Sequence, residues 1–256
     1  MALDGIMNSG EGFNMTVSDR ATSKKQQAIE DLRQRILSQQ LPPGSYLDET
    51  ALADAYQISR PPLREILRQL AGEGYVVLTE NRGAQVAPMT HLTLRSFFSA
   101  APMIYAAIAR LAAEHATPEQ IARLKETQAQ FQGAIKGGDT VARALLNERF
   151  HALMGEMADN EYLTPSLRRL LIDHTRIGMN FYNPRNRAFA AGREIAVDQH
   201  ERLIELIEAG DGNGASELAI AHWELSRTAF ESFVVPPGMK FPLGQAPGTS
   251  NERDAA

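Results

Sequence analysis

Two groups of residues in this 256-residue chain have types and spacings that can do chemistry. Arg60, Arg64 and Arg68 recur every fourth residue from the run Ser59-Arg60-Pro61-Pro62, so on a helix they form one stripe of guanidiniums. A guanidinium can pair as a fork with O6 and N7 of guanine in the major groove, and it also binds phosphate. Arg82-Gly83 closes the turn-forming run Glu80-Asn81-Arg82-Gly83, which sets one more cation beside a residue that permits close backbone approach. The second group is Asn147, His151, His200 and His222. Asn147 and His151 are four apart and share a helix face. His200 lies on the stripe of Leu203, Ile204 and Ile207, and His222 lies between Leu218 and Leu225. An inward imidazole without a partner is costly, which leaves two readings open at this point: hydrogen-bonded core histidines, or ligands converging on one metal ion from three helices.

The elements that must position the first group are legible around it. Ile29, Leu32, Ile36 and Leu37 make a helical stripe that stops at Leu41-Pro42-Pro43-Gly44. Asp48 can cap a short helix through Tyr56, and Gln57-Ile58-Ser59 makes a turn. Ser59 with Pro61 then opens a third helix to about Ala71, with Leu63, Ile66, Leu67 and Leu70 on its buried face. Two β-prone runs, 75–79 and 84–87, flank the Glu80–Gly83 turn. Helix, helix, turn, helix and hairpin predict a winged helix-turn-helix over 21–88. Beyond it, helices are expected near 91–115, 118–136, 139–158, 161–182, 187–209 and 213–234, a mainly α chain ending in an all-α antiparallel bundle over 91–235. Residues 1–20 and 236–256 read as disordered tails.

Composition narrows the chemistry. Hydrophobic residues at 43% and charged residues at 22% fit a globular protein. The absence of cysteine excludes disulfides, thiolate nucleophiles and thiolate-bound zinc, so a metal must sit on His, Asn, Asp or Glu. With no basic leader and no long uncharged apolar run, the chain is expected to be cytoplasmic and to make no membrane contact. The net charge of −5 disfavours nucleic acid for the chain as a whole, yet residues 20–90 carry nine basic against eight acidic groups. A local basic face, not the total, displaces counterions from phosphates.

The stretch LPPGSYLDETALADAYQISRPPLREILRQLAGEGYVVLTENRGAQV resembles the N-terminal domain of the GntR family of bacterial transcriptional regulators. The resemblance implies that Arg60 and Arg64 make the main operator contacts, with Ser59, Pro61 and Pro62 at the helix entry and Arg82-Gly83 in the wing. Pro61 stands where the family usually has threonine. The C-terminal half is similar to the FCD effector domain of the FadR-type branch, whose metal site follows an Asp-or-Asn-x3-His…His…His pattern. That pattern falls on Asn147, His151, His200 and His222. Imidazole ligation favours zinc, with nickel and manganese open. Asn147 replaces the commoner aspartate, so four neutral ligands imply weaker metal retention and a stronger demand for an anion beside the ion.

The resemblance further implies a homodimer on an inverted-repeat DNA operator and a small anionic metabolite, such as a carboxylate, beside the metal. An arginine common early in the first helix of such domains is missing, since Ala100, Ala101 and Pro102 occupy that neighbourhood. Arg176, followed by Asn180 and Tyr182, is the substitute effector contact, with Arg143 second. His91, His115 and His174 are assigned to structure or surface, and Trp223 to packing or a dimer contact. The expected function is a ligand-relieved repressor and not an enzyme. The alternatives are a regulator that senses metal without an organic effector, or a metalloenzyme, for which Glu148, Glu201 and Glu224 sit turned off the ligand face.

Overall fold

In the computed structural model, which describes residues 17–80, 82–183, 185 and 187–234, side-chain caps fix several helix starts. The first helix, α1 (Val17–Leu37), buries Ile29, Leu32 and Ile36. It begins inside the segment read as tail, because no glycine or proline interrupts the chain after Gly12; residues 1–16 and 235–256 lie outside the described residues. Asp48 accepts from the Thr50 and Ala51 amides to start α2 (Glu49–Tyr56). The third helix, α3 (Arg60–Glu73), ends at Gly74, whose left-handed φ of 93° suits glycine alone. It leads into an antiparallel hairpin, β1 (Val76–Thr79) with β2 (Gly83–Val86), in which Val76 faces Val86 and Thr79 faces Gly83.

Leu63, Ile66, Leu67 and Leu70 close with Ile29, Leu32, Ile36, Val76 and Val86 into one core, which makes this a winged helix-turn-helix module. The loop before α2 adds a feature without sequence periodicity. Tyr46 bridges Gln85, and the Leu47 amide donates to the Ala84 carbonyl at 2.9 Å, so the wing is pinned to the helices from its inner edge.

The remaining helices are α4 (His91–His115), α5 (Pro118–Gly137), α6 (Thr140–Ala158), α7 (Leu163–Phe181), α8 (Ala190–Glu208) and α9 (Gly212–Val234). A 3-10 turn, Arg187–Phe189, precedes α8, so that helix starts later than the expected 187. Thr117 and Gln120 form a reciprocal cap on α5, and Asp139 caps α6. Their shared core includes Phe98, Tyr105, Ile108, Phe150, Leu153, Leu203 and Trp223. Helix α4 is long and apolar enough to cross a membrane, yet half of its most apolar window is buried inside this bundle and Arg95 and Arg110 punctuate it.

Helix α7 is buried on every side from Leu170 to Gly178 because it lies between the bundle and the winged helix-turn-helix module. The Arg176 guanidinium donates to the Ala87 carbonyl at 2.6 Å and to the Asp173 carboxylate, while Gln39 at the end of α1 donates to the Arg176 carbonyl at 2.5 Å. Asp173 also pairs with Arg169 at 3.1 Å. The Arg169 stem runs through the space a side chain would take at Gly74.

Candidate metal centre and nucleic-acid interface

Helices α6, α8 and α9 bring His151, His200 and His222 together, each buried, with one ring nitrogen per residue inside 4.8 Å of the others. The Nδ1 atom of His200 meets Gln128 Oε1 at 3.1 Å, and Nδ1 of His222 meets Gln199 Oε1 at 3.0 Å. An amide oxygen only accepts, so each Nδ1 carries the hydrogen and each Nε2 carries a lone pair. Those two Nε2 atoms face one another at 3.2 Å. Two lone pairs so placed repel unless a cation lies between them. Two nitrogens on one tetrahedral zinc, with bonds of about 2.0–2.1 Å, stand about 3.3–3.4 Å apart. Neither nitrogen of His151 has a hydrogen-bond partner among the described residues. The donor set therefore fits a divalent ion, with Gln128 and Gln199 in the orienting role that outer partners play around metal-bound imidazoles.

Burial is the main cause that keeps these rings neutral. It drives His151 and His200 well below the ordinary imidazole range, and mutual repulsion among the rings adds to it. His222 is pushed down to about 3 in the same way. A neutral imidazole binds metal without first losing a proton. The shell around them is aromatic: Phe150 stacks on His200 with centroids 3.9 Å apart, and Tyr105 stands edge-on to His151 at 5.2 Å. Asn147 is also buried, one turn before His151, and its Oδ1 accepts from the Tyr182 hydroxyl at 2.9 Å.

Several residues outside the sequence motif share this centre. His174 lies 5.4 Å from His151 between ring centroids, bonds Tyr105 Oη through Nδ1 at 2.5 Å, and is pushed by burial down to about 4. It is buried, which removes the surface option for this residue. Trp223 is 2% exposed, packs edge-on against Phe98, and lines the same cavity as His151, His174 and His222. That cavity is about 10 Å³, and its remaining wall is Tyr105, Met154, Leu203 and Ala219. A sequence signal for the outer shell exists in Gln128, a polar residue on the stripe between Leu124 and Phe131.

The four expected effector contacts do not gather there. Arg143 donates to the carbonyls of Ala134, Ile135 and Tyr182, closing the ends of two helices, and burial with Arg193 nearby lowers its pKa. Arg176 is spent at the domain boundary. Asn180 is exposed. Tyr182 alone touches the centre, through Asn147. Burial also lifts Glu148 to about 7, and the charges that reach it are Arg149 and, from the winged helix-turn-helix module, Glu30 and Arg33.

On the module's outer face, Ser59, Arg60, Pro61, Arg64, Arg68 and Arg82 are exposed, and Pro62 is half-buried. Ser59 occupies the N-cap position of α3 without a side-chain cap bond. The reason lies in the next residues. A capping oxygen accepts from the second or third amide of a helix, and here those are Pro61 and Pro62, which have none. The Ser59 hydroxyl is left to face outward. Arg60 donates to Thr50 Oγ1 at 3.3 Å, and Arg64 Nε sits 3.5 Å from Glu49 Oε2. Gly83 holds a left-handed φ of 75° at the wing tip.

A family model for bacterial regulatory proteins of the gntR family matches residues 24–86, and one for the FCD domain matches residues 99–225. The chain belongs to the GntR family of transcriptional regulators. YdhC of Bacillus subtilis, an HTH-type transcriptional regulator, is 22% identical over 206 residues, covering 80% of this chain and 90% of the relative. RspR, a transcriptional repressor of Escherichia coli, is 25% identical over 199 residues, 77% of this chain and 84% of its own. Among solved structures, McbR/YncC of E. coli matches at a TM-score of 0.68 and 20% identity, covering 82% of this chain and 98% of that one. GntR-family regulators bind DNA operators, and this chain is a regulator and not an enzyme.

Proposed function

We propose that this GntR regulator is a homodimeric repressor of an inverted-repeat operator, with a divalent metal ion, zinc foremost, in the FCD domain. Its DNA contacts are Ser59, Arg60, Pro61, Pro62, Arg64 and Arg68 at α3 and Arg82-Gly83 in the wing. Two such modules related by a two-fold would set their recognition helices about 34–36 Å apart, one turn of the duplex. The relative RspR is named as a repressor, which supports that sign of control. Acting on the chromosome places its work in the cytoplasm.

The observation that carries the metal reading is the facing pair of Nε2 atoms at 3.2 Å with both Nδ1 hydrogens already committed. Asn147, His151, His200 and His222 would hold the ion, and nickel or manganese would meet the same donors. A bound ion supplies a Lewis-acidic point that can hold an anionic oxygen. The chain's residues do the rest: Gln128 and Gln199 fix the tautomers, Tyr182 holds the Asn147 amide, and Phe150 and Tyr105 keep water away. Every protein ligand is neutral, so a small carboxylate or similar anion is the effector that charge balance favours.

Thermal unfolding against a set of small carboxylates, with and without a chelator, tests this. A ligand at 100 times its Kd adds about 2.7 kcal/mol, and the shift is expected to vanish with the chelator. If no carboxylate shifts unfolding while the chelator alone lowers it strongly, the metal is structural or is itself the signal, and the second reading, a regulator that senses the metal, requires DNA affinity to follow the metal with no organic ligand present. The cavity of about 10 Å³, room for roughly one water, favours that alternative.

A further inference from the structure

We propose that Glu49 is a positioning residue for base readout, aiming Arg64 at the duplex and seating the wing tip. The inference rests on the DNA-binding reading above and adds a residue to it. Glu49 is the first residue of α2 and its side chain is only 25% exposed. One carboxylate oxygen lies 3.5 Å from Arg64 Nε. The other lies 3.3 Å from the point where a side chain would leave Gly83. A single carboxylate thus lies beside both the recognition helix and the wing, and a side chain at position 83 would crowd it.

A carboxylate on this face works against binding in the plainest electrostatic sense. It repels phosphate and cancels one of the few cations of a module with nine basic and eight acidic groups between residues 20 and 90. Its geometry shows the compensating use. Pairing with Arg64 on its Nε side, at 3.5 Å, leaves Nη1 and Nη2 as an open fork, the edge that reads guanine O6 and N7. Arg60 differs, since its Nη2 is tied to the neutral Thr50 hydroxyl. The start of α3 raises the dependence on Arg64, because Pro61 and Pro62 remove two of the amides that a helix N-terminus offers to phosphate. With weaker backbone clamping, register on the duplex falls more to aimed side chains.

The experiment uses the full-length protein. A preferred duplex is selected from a random-sequence library, and affinities for it and for a scrambled duplex are measured for wild type, Glu49→Gln and Arg64→Ala, with unfolding temperatures alongside. For Glu49→Gln we expect the scrambled duplex to bind several-fold tighter and the selected duplex about tenfold weaker, at unchanged unfolding temperature. Repeating the selection with Glu49→Gln should lose the same guanine preference that Arg64→Ala loses. If both affinities rise together, the carboxylate only repels phosphate and the proposal is overturned. If both fall together with a lower unfolding temperature, it only builds the module, and the proposal is overturned as well. A wild type that selects no preferred duplex would remove the DNA-reading model itself, and this inference with it.

Discussion

The buried pair between Asp173 and Arg176 offers the sharpest quantitative test of how the two halves of the chain are held together. Arg176 is wholly buried and the Asp173 side chain is 4% exposed, so neither charge is relieved by solvent. Removing one partner of such a pair costs about 3–5 kcal/mol, because it strands the other charge. Asp173→Asn keeps the shape and removes the charge, so the loss is not a cavity effect. At roughly 2–4 °C per kcal/mol for a chain of this size, the unfolding temperature should fall by roughly 6–20 °C. Replacing both members, Asp173→Leu with Arg176→Met, should recover about half of that. What stays lost is the hydrogen bond to the Ala87 carbonyl, about 1–3 kcal/mol for a buried acceptor left unpaired. Arg169, 44% exposed, can turn to water at little cost. Calorimetry on the single and double variants reads all three values, and protease cleavage between residues 87 and 90 reports whether the modules have come apart. A fall of under about 2 °C for Asp173→Asn, or a double variant no better than the single, would refute the account of a stranded charge.

Other expectations follow from the same residues. Gln128→Leu should weaken metal binding by roughly 10–100-fold while leaving DNA affinity of the loaded protein unchanged, as read by competition with a fluorescent chelator. Asn147→Asp should tighten metal binding and weaken carboxylate binding, and equilibrium dialysis showing neither change would discard the charge-balance argument. For the metal-free protein, His174 is held down to about 4 by burial, while an unfolded histidine titrates near 6.5. Between those values the unfolded chain binds the extra proton, so stability present above about pH 6.5 drains as pH falls toward 4, at up to about 1.4 kcal/mol per pH unit. A His174→Gln variant should show a flatter profile in urea titrations across that window. On the DNA side, Arg64→Ala should cost about 1–3 kcal/mol and relax one base position, whereas Arg68→Ala should weaken all sequences alike and lower the salt slope by about 1.

What the sequence reveals follows physical lines. Helix starts are legible where a side chain caps them, as at Asp48, Thr117 and Asp139. The wing and the arginine row are legible because strand and helix periods change abruptly at Gly74. His200 and His222 can be found because each lies on an apolar stripe, and His151 because it stands four residues after Asn147 on one helix face. His174 also lies on such a stripe, with Leu167, Leu170, Leu171 and Ile177, but it falls outside the Asn-x3-His…His…His pattern, and only the fold shows that this stripe faces the same centre. The fates of Arg143 and Arg176 are hidden for a different reason. Both guanidiniums bind backbone carbonyls contributed by distant turns, and a carbonyl leaves no residue type in the sequence to mark it. The early start of α1 at Val17 escapes notice because its first turn lacks apolar spacing.

Gly74 carries a consequence for the genome as well as for the protein. The recognition helix ends on it, and the Arg169 stem of α7 fills the space its missing side chain leaves. The helix thus ends against the bundle, and the bonds of buried Arg176 to the Ala87 carbonyl and of Gln39 to the Arg176 carbonyl tie the module that carries it to α7. In a two-fold dimer, one base pair inserted between half-sites turns one of them by roughly 35° about the duplex axis. A hinged reader absorbs that turn; this one should not. Functional operators are then expected at a single spacing, so that insertions and deletions at their centres are as damaging as changes to the bases that Arg60 and Arg64 read.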